Sequence, residues 1–218
     1  MKRIDRNEAG DPTERIFILL VGMFVASLVI AAVLAAKIIN VAGVAVPAGV
    51  IAYCITFLCT DAISEVWGRQ RANTVVWAGF AGLGLVLLLI QLALHWPAAP
   101  FWDQQAAFEK VLGLTPRIIV GSLAAYLVSQ LFDVWCFHFW RRQTKGRFLW
   151  LRNNLSTAAS QLLDSCIFIC IAFLGHMPVL ELIVGQWLVK LGIAVVDTAV
   201  LYPVVGFIRN RQARLAYS

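Results

Sequence analysis

Charged residues are scarce in this sequence. They make up 14% of the 218 residues, whereas 61% are hydrophobic, and the mean hydropathy is +0.79. Ordinary soluble domains carry about 25% charged residues, so the composition excludes a water-soluble globular protein. The chain is therefore predicted to be an integral membrane protein.

Cysteine and histidine are also few, and their placement argues against metal and redox sites. The five cysteines lie in apolar runs without a Cys-x-x-Cys spacing near histidine, so we interpret them as small buried hydrophobic residues. The three histidines are scattered, and the chain contains no nucleotide-binding loop. A membrane enzyme would need a nucleophile with its base or a set of metal ligands. We therefore predict no enzyme activity, no metal and no cofactor.

Long apolar segments dominate what is present. Six of them are visible, each of roughly 20 residues, which is the length that a helix needs to cross a bilayer. They cover residues of about 16–36, 44–63, 74–94, 117–139, 155–175 and 180–206. None alternates apolar and polar residues as barrel strands do. The prediction is an all-α membrane protein with six transmembrane helices in a single domain, 1–218, and a short interfacial helix at about 104–112.

The basic residues indicate how these segments are oriented. Of the 18 Lys and Arg residues, fourteen fall at one set of segment ends, three fall at the opposite ends, and Lys190 lies within the sixth segment. Cytoplasmic loops carry the excess of Lys and Arg. We therefore expect both termini to be cytoplasmic, in a multi-pass protein of the inner (plasma) membrane that is surrounded by lipid.

Several ionisable and amide side chains interrupt the apolar segments. Such groups are costly at membrane depth and are functional candidates by default. Helical spacing arranges them as polar stripes on the second, fourth, fifth and sixth segments, which predicts one cavity bounded by these four. In the sixth segment, Gln186 shares the stripe with Lys190 and Asp197. Together with an asparagine at the start of the fifth segment, they give nine candidate ligand-binding residues: Asp61, Glu65, Gln130, Asp133, Asn154, Gln161, Asp164, Lys190 and Asp197.

One polar phrase, Ser-Gln-x-x-Asp, occurs twice, at residues 129–133 and 160–164. The two segments that carry it are neighbours of opposite direction, so they can present both acid-amide pairs to one cavity. Sequence-alike elements of opposite direction are typical of the inverted repeats of transporters. Hydrogen bonding between helices explains each phrase by itself equally well.

The acids also have structural interpretations. Asp61 and Glu65 lie near the cytoplasmic surface and can pair with Arg69 and Arg71. Either Asn153 or Asn154 can cap the fifth helix, and Asp197 can pair with Lys190. The acids still outnumber the single deeply placed lysine. This excess indicates uncompensated negative charge, which suits a cation, a proton or a ligand that is rich in hydrogen-bond donors.

Four stretches carry the most informative patterns, namely TDAISEVWGRQRA (60–72), SQLFDVWCF (129–137), WLRNNLSTAASQLLDS (150–165) and KLGIAVVDT (190–198). With the six-segment layout, they resemble the queuosine precursor transporter family over nearly all of the chain. Trp67 stands where the family usually has tyrosine. The resemblance implies uptake of 7-cyano-7-deazaguanine or a related 7-deazapurine base for tRNA queuosine synthesis, without direct contact to nucleic acid.

The candidate residues suit such a base. A carboxylate can accept two adjacent N–H groups, a glutamine amide can both donate and accept, and Lys190 can donate to the ring carbonyl. We expect alternating access around a site in which Asp133, Asp164 and their neighbouring glutamines hold the base. A base can also stack on an aromatic ring, for which the segments offer Trp135, Phe137 and Phe168.

A second function stays open, that of a substrate-binding subunit in an ATP-driven uptake system for a vitamin-like or base-like molecule. The chain has no ATP-binding motif, so the ATPase would be a separate module. Small residues recur every fourth position in the first segment, at Ser27, Ala31 and Ala35, and this spacing lets another helix approach closely. In this alternative, the ATPase would dock on that face of the first segment. The sequence is also compatible with a homo-oligomer, in which the protein partner is another copy of this chain.

Overall fold

The computed structural model describes residues 12–143 and 149–216. Some side chains within the long helices lie outside the described part, including those of Gln130, Asp133, Asn154 and Asp197. The described residues form seven helices and one two-stranded sheet: α1 (Pro12–Leu34), β1 (Ile38–Val41), β2 (Val44–Pro47), α2 (Gly49–Trp67), α3 (Arg69–His95), α4 (Gln105–Leu112), α5 (Thr115–Gln143), α6 (Leu149–Phe173) and α7 (Val179–Ala216).

The predicted all-α membrane architecture is confirmed. Five helical stretches among the described residues are long and apolar enough to cross a membrane, and a shorter apolar helix covers residues 157–173 of α6. The six predicted segments correspond to α1, α2, α3, α5, α6 and α7. The short helix α4 lies where the interfacial helix was expected.

A β-hairpin occupies the region where the first helix was expected to end and the second to begin. Its strands pair antiparallel, with Ile38 opposite Pro47, so α2 begins at Gly49 and not at about residue 44. The two-residue turn consists of Ala42 and Gly43, whose φ angles are 51° and 91°. Positive φ at both turn positions matches the twist of a tight hairpin, and this allows the chain to reverse before α2 starts.

The small-residue face of α1 packs against α2. Ala31, Ala32 and Ala35 are all at least 95% buried, and a side-chain carbon added at Gly49 would lie 2.5 Å from the Ala31 carbonyl oxygen. The predicted close approach of helices is therefore present, but the partner is a helix of the same chain. This face is occupied by α2 and is not available to dock an ATPase.

Ion pairs join several helix ends at one end of the bundle. Arg71 at the start of α3 pairs with Glu14 at the start of α1, at 3.3 Å. Arg209 of α7 pairs with Glu65 near the end of α2, at 2.9 Å. We call this end, where α1 and α3 begin and α2 ends, the basic end.

Helices α5 and α6 pack along each other in opposite directions. Arg117, near the start of α5, donates from Nε to the Ile171 carbonyl at 3.2 Å and from Nη2 to the Leu174 carbonyl at 3.3 Å. These carbonyls belong to the last turn of α6 and the residue after it, where a helix has no intrahelical donors and favours a cation. The contact fixes α5 and α6 as antiparallel neighbours.

Candidate functional site

A polar cavity of about 110 Å³ lies among α2, α5, α6 and α7, and we call it the deep cavity. These are the four helices of the segments that the polar stripes predicted to share a cavity. Its lining combines polar side chains with aromatic rings: Tyr53, Phe57, Ser122, Tyr126, Ser129, Gln161, Asp164, Phe168, Gln186 and Lys190.

An ion pair occupies the centre of this lining. Lys190 Nζ of α7 donates to Asp164 Oδ2 of α6, and the lysine is only 7% exposed. Ser129 Oγ of α5 lies 3.4 Å from Asp164 Oδ1, and Lys190 Nζ lies 5.8 Å from the ring centroid of Tyr53 in α2, within the range of cation–π attraction. One charged pair thus contacts all four helices.

The two copies of the Ser-Gln-x-x-Asp phrase are in contact at this ion pair. Ser129 belongs to the first copy and Asp164 to the second, and the two side chains are in contact. The antiparallel packing of α5 and α6 brings them together, as the opposite directions of the two segments predicted. The amide and acid of the first copy, Gln130 and Asp133, lie outside the described side chains.

The described part of the lining holds one carboxylate. Among the side chains that the structure describes, Asp164 is the one carboxylate in the lining, and it pairs with Lys190. Glu65 points elsewhere, to Arg209. The predicted excess of acids also counted Asp133 and Asp197, whose side chains lie outside the described part, so it stays a prediction.

Two glutamine amides border the ion pair. Gln161 lies one turn before Asp164 on α6, and Gln186 lies one turn before Lys190 on α7. The Oε1 atoms of both are buried and have no hydrogen-bond partner among the described residues. Buried polar atoms are normally paired because an unpaired one costs about 1–3 kcal/mol. Both atoms belong to residues that line the deep cavity, so a ligand placed there could satisfy them.

A larger cavity of about 430 Å³ lies beside the deep cavity and extends toward the basic end, and we call it the vestibule. Both cavities are lined by Tyr53, Phe57, Ser122 and Tyr126, and we call these four residues between them the neck. The polar lining of the vestibule at the end of α2 and the start of α3 includes Asp61, Ser64, Arg69 and Asn73. Its volume falls within the range of small-molecule sites.

The predicted site residues separate into four groups. Gln161, Asp164 and Lys190 line the deep cavity, whereas Asp61 lines the vestibule. Glu65 lines neither, because its side chain is more than half exposed and pairs with Arg209. The remaining four lie outside the described side chains, namely Gln130, Asp133, Asn154 and Asp197.

The expected stacking partners also separate. Phe168 lines the deep cavity and is 6% exposed. Trp135 is 59% exposed and stacks on Phe139, with ring centroids 5.5 Å apart, so it faces away from the cavity. Phe137 lies outside the described side chains.

Sequence reasoning assigned Gln186 to the polar stripe of the sixth segment, four residues before Lys190, but did not count it among the nine candidates. It missed two tyrosines of the lining. Tyr53 and Tyr126 gave no comparable signal. Tyrosines in an apolar segment are commonly interfacial or packing residues, and their inward direction depends on helix rotation, which the pattern does not fix.

Comparison with known proteins agrees with this architecture. Residues 47–204 match the family described as "Putative vitamin uptake transporter". A relative from Bacillus subtilis (strain 168), described as "Probable queuosine precursor transporter", is 34% identical over 178 residues, which cover 80% of this chain and 78% of the relative. No solved structure matches.

The match covers well over half of the chain, so this protein belongs to that vitamin uptake transporter family. It is a multi-pass membrane transporter of a small molecule and not an enzyme. The resemblance seen in the sequence is thereby confirmed at the level of the family.

Proposed function

We propose that this chain imports a queuosine precursor, 7-cyano-7-deazaguanine or a related 7-deazapurine base, across the inner membrane. The observation that carries the proposal is the deep cavity, in which Lys190, Asp164 and two buried glutamine oxygens line one small space. The printed name of the Bacillus subtilis relative supports the same substrate class.

The chemistry of the deep cavity matches the polar edge of such a base. Each carboxylate oxygen has two acceptor positions, so Asp164 can bind Lys190 and Ser129 and still accept N–H groups from the base. Lys190 has three N–H donors and can give one to the ring carbonyl. Phe57 and Phe168 offer apolar faces on which the flat ring can pack.

Four predicted residues, namely Gln130, Asp133, Asn154 and Asp197, enter the proposal through their positions along the helices, and Asp61 enters through its place in the vestibule. Asp133 and Gln130 lie on α5 within one turn of Ser129, and we assign them to the same base-binding face. Asp197 lies two turns beyond Lys190 on α7 and is assigned to fixing or gating the ligand. Asp61 is assigned to the vestibule, where the base would be received or released, and Asn154 to contacts below the deep cavity.

The proposed mechanism is alternating access around the deep cavity. The vestibule adjoins this cavity at the neck and extends toward the basic end, which supports a route on that side. At the start of α2, the hairpin packs tightly on α7, because a side-chain carbon added at Gly185 would lie 2.2 Å from the Ala45 carbonyl oxygen. Transport would require these two ends to open in alternation.

The alternative of an ATP-driven uptake subunit is less well supported. Its expected docking face on α1 is covered by α2, with Ala31 2% exposed. Purified chain reconstituted alone into liposomes separates the two ideas. Accumulation or exchange of labelled base without an ATPase excludes the alternative, whereas uptake that appears only when an ATPase co-purifies supports it.

Uptake of labelled 7-cyano-7-deazaguanine into cells that cannot synthesise it tests the substrate. Queuosine in tRNA is the readout, and cells without the chain are the control. We expect restoration by the native chain and loss with Asp164→Asn. The site assignment is wrong if Asp133→Asn and Asp164→Asn both restore queuosine fully at normal expression.

A further inference from the structure

The side-chain amide of Gln186 borders the deep cavity. The residue is 6% exposed, it lines the deep cavity, and its Oε1 has no hydrogen-bond partner among the described residues. A buried acceptor in an apolar environment is destabilising unless it is paired. A lone acceptor in a membrane helix therefore indicates a group that is satisfied when a ligand is bound.

The position of Gln186 is fixed by its neighbours. The next residue, Trp187, donates from Nε1 to the Ala158 carbonyl of α6 at 3.0 Å. One turn later on α7, Lys190 is held by Asp164. Both contacts to α6 fall within one turn after Gln186 and hold this part of α7 against α6, where the Gln186 side chain lines the deep cavity.

Gln161 supplies a second acceptor of the same kind. Its Oε1 is also buried and has no partner among the described residues, and it lines the same cavity. The Ser165 hydroxyl donates to the backbone carbonyl of Gln161, at 2.9 Å, and not to its side-chain oxygen. Two unfilled acceptors in one small space call for a ligand with several N–H donors.

We infer that Gln186, together with Gln161, selects the transported molecule by accepting its N–H groups, so that the site favours an amino-substituted flat heterocycle over the same ring without the amino group. This inference rests on the proposed function, because it assumes that a base occupies the deep cavity. A site built to pair a donor discriminates against an analogue that lacks it, since the buried acceptor is then left unpaired.

The test compares two ligands on the purified full-length chain. One is 7-cyano-7-deazaguanine, and the other is the matched analogue in which hydrogen replaces the exocyclic 2-amino group. The native chain should bind the amino compound more tightly by on the order of 10- to 100-fold. Gln186→Met keeps the length of the side chain but removes the acceptor, and it should lower this ratio to within about threefold, chiefly by weakening the amino compound.

Controls separate ligand selection from a structural role. Gln161→Met should reduce the ratio in the same direction, whereas Gln91→Met, in α3 and outside both cavities, should leave it unchanged. The melting temperature of ligand-free Gln186→Met should equal or exceed that of the native chain, because a buried unpaired acceptor has been removed.

The outcomes distinguish the inference from the proposed function. The inference is supported if Gln186→Met lowers the affinity ratio of the two compounds to within about threefold and keeps the native melting temperature. An unchanged ratio in Gln186→Met, or a lower melting temperature with the ratio intact, overturns it while the proposed function stands. If the native chain binds neither compound, the proposed function fails and this inference fails with it.

Discussion

Four helices meet at Lys190. Its ammonium group binds Asp164 of α6 and lies over the Tyr53 ring of α2, and Asp164 in turn contacts Ser129 of α5. Removing one member of a buried ion pair typically costs about 3–5 kcal/mol, because the other charge is left unpaired. This contact therefore contributes to stability as well as to ligand binding, and a single substitution would affect both.

A double substitution separates these two contributions. Asp164→Asn and Lys190→Met should each lower the melting temperature of the purified protein, since each leaves an unpaired partner. The combination should recover most of the loss, because removing both charges of a buried pair is often close to neutral. None of the three variants should transport the base. Recovery of transport in the double variant would show that the pair has only a structural role.

Glu65 illustrates what helical spacing can and cannot predict. It lies four residues after Asp61, so the two share a helix face, yet its partner is Arg209, 144 residues away. Lys190 likewise shares a stripe with Asp197 but binds Asp164 of another helix. Spacing within a segment assigns residues to a face. Which helix that face meets depends on tertiary packing, which the pattern does not contain.

The Glu65–Arg209 pair should contribute little. Its side chains are 57% and 58% exposed, and exposed ion pairs are usually worth about 0–1 kcal/mol because water screens them. Glu65→Gln should therefore transport at near-native rates and shift the melting temperature by only a few degrees. Uptake assays at matched expression check this. A severe transport defect in a stable Glu65→Gln protein would indicate that Glu65 takes part in ligand binding after all.

At the scale of elements, the helices were predictable and the hairpin was not. Each long helix is an uninterrupted apolar run with a length that fits a bilayer, and this signal is strong. Residues 38–47 are also apolar, and a short apolar strand cannot be distinguished from buried helix by periodicity. The turn is Ala42–Gly43, which lacks the usual Asn-Gly signature of such hairpins.

The contact between this hairpin and α7 depends on a glycine. A side-chain carbon at Gly185 would lie 2.2 Å from the Ala45 carbonyl oxygen, whereas nothing lies within 4 Å of such a carbon at Gly192. Gly185→Ala should destabilise the protein by about 1–3 kcal/mol through overpacking. Gly192→Ala on the same helix should be neutral or stabilising by up to about 1 kcal/mol, because alanine favours helix. Equal melting temperatures for the two variants would contradict this packing.

At the scale of the whole molecule, the hairpin and the vestibule lie at opposite ends of α2. This helix begins at Gly49, just after the hairpin, and ends at Trp67, two residues before Arg69 of the vestibule. Its 19 residues span about 28 Å at 1.5 Å per residue, which is close to the thickness of the bilayer core. From the positive-inside bias of the sequence, we predict that the vestibule faces the cytoplasm and the hairpin faces the opposite side.

Thiol labelling from each side of the membrane tests this arrangement. In a background without the five native cysteines, Ala42→Cys at the hairpin turn should react with a membrane-impermeant maleimide in intact cells. Asn73→Cys in the vestibule should react only in inverted vesicles. Added 7-cyano-7-deazaguanine should slow the reaction at Asn73→Cys by occupying the route to the deep cavity, and it should leave Ala42→Cys unaffected. If Asn73→Cys reacts from outside intact cells, the orientation is the reverse of the predicted one. If the base protects neither position, the vestibule is not part of the transport route.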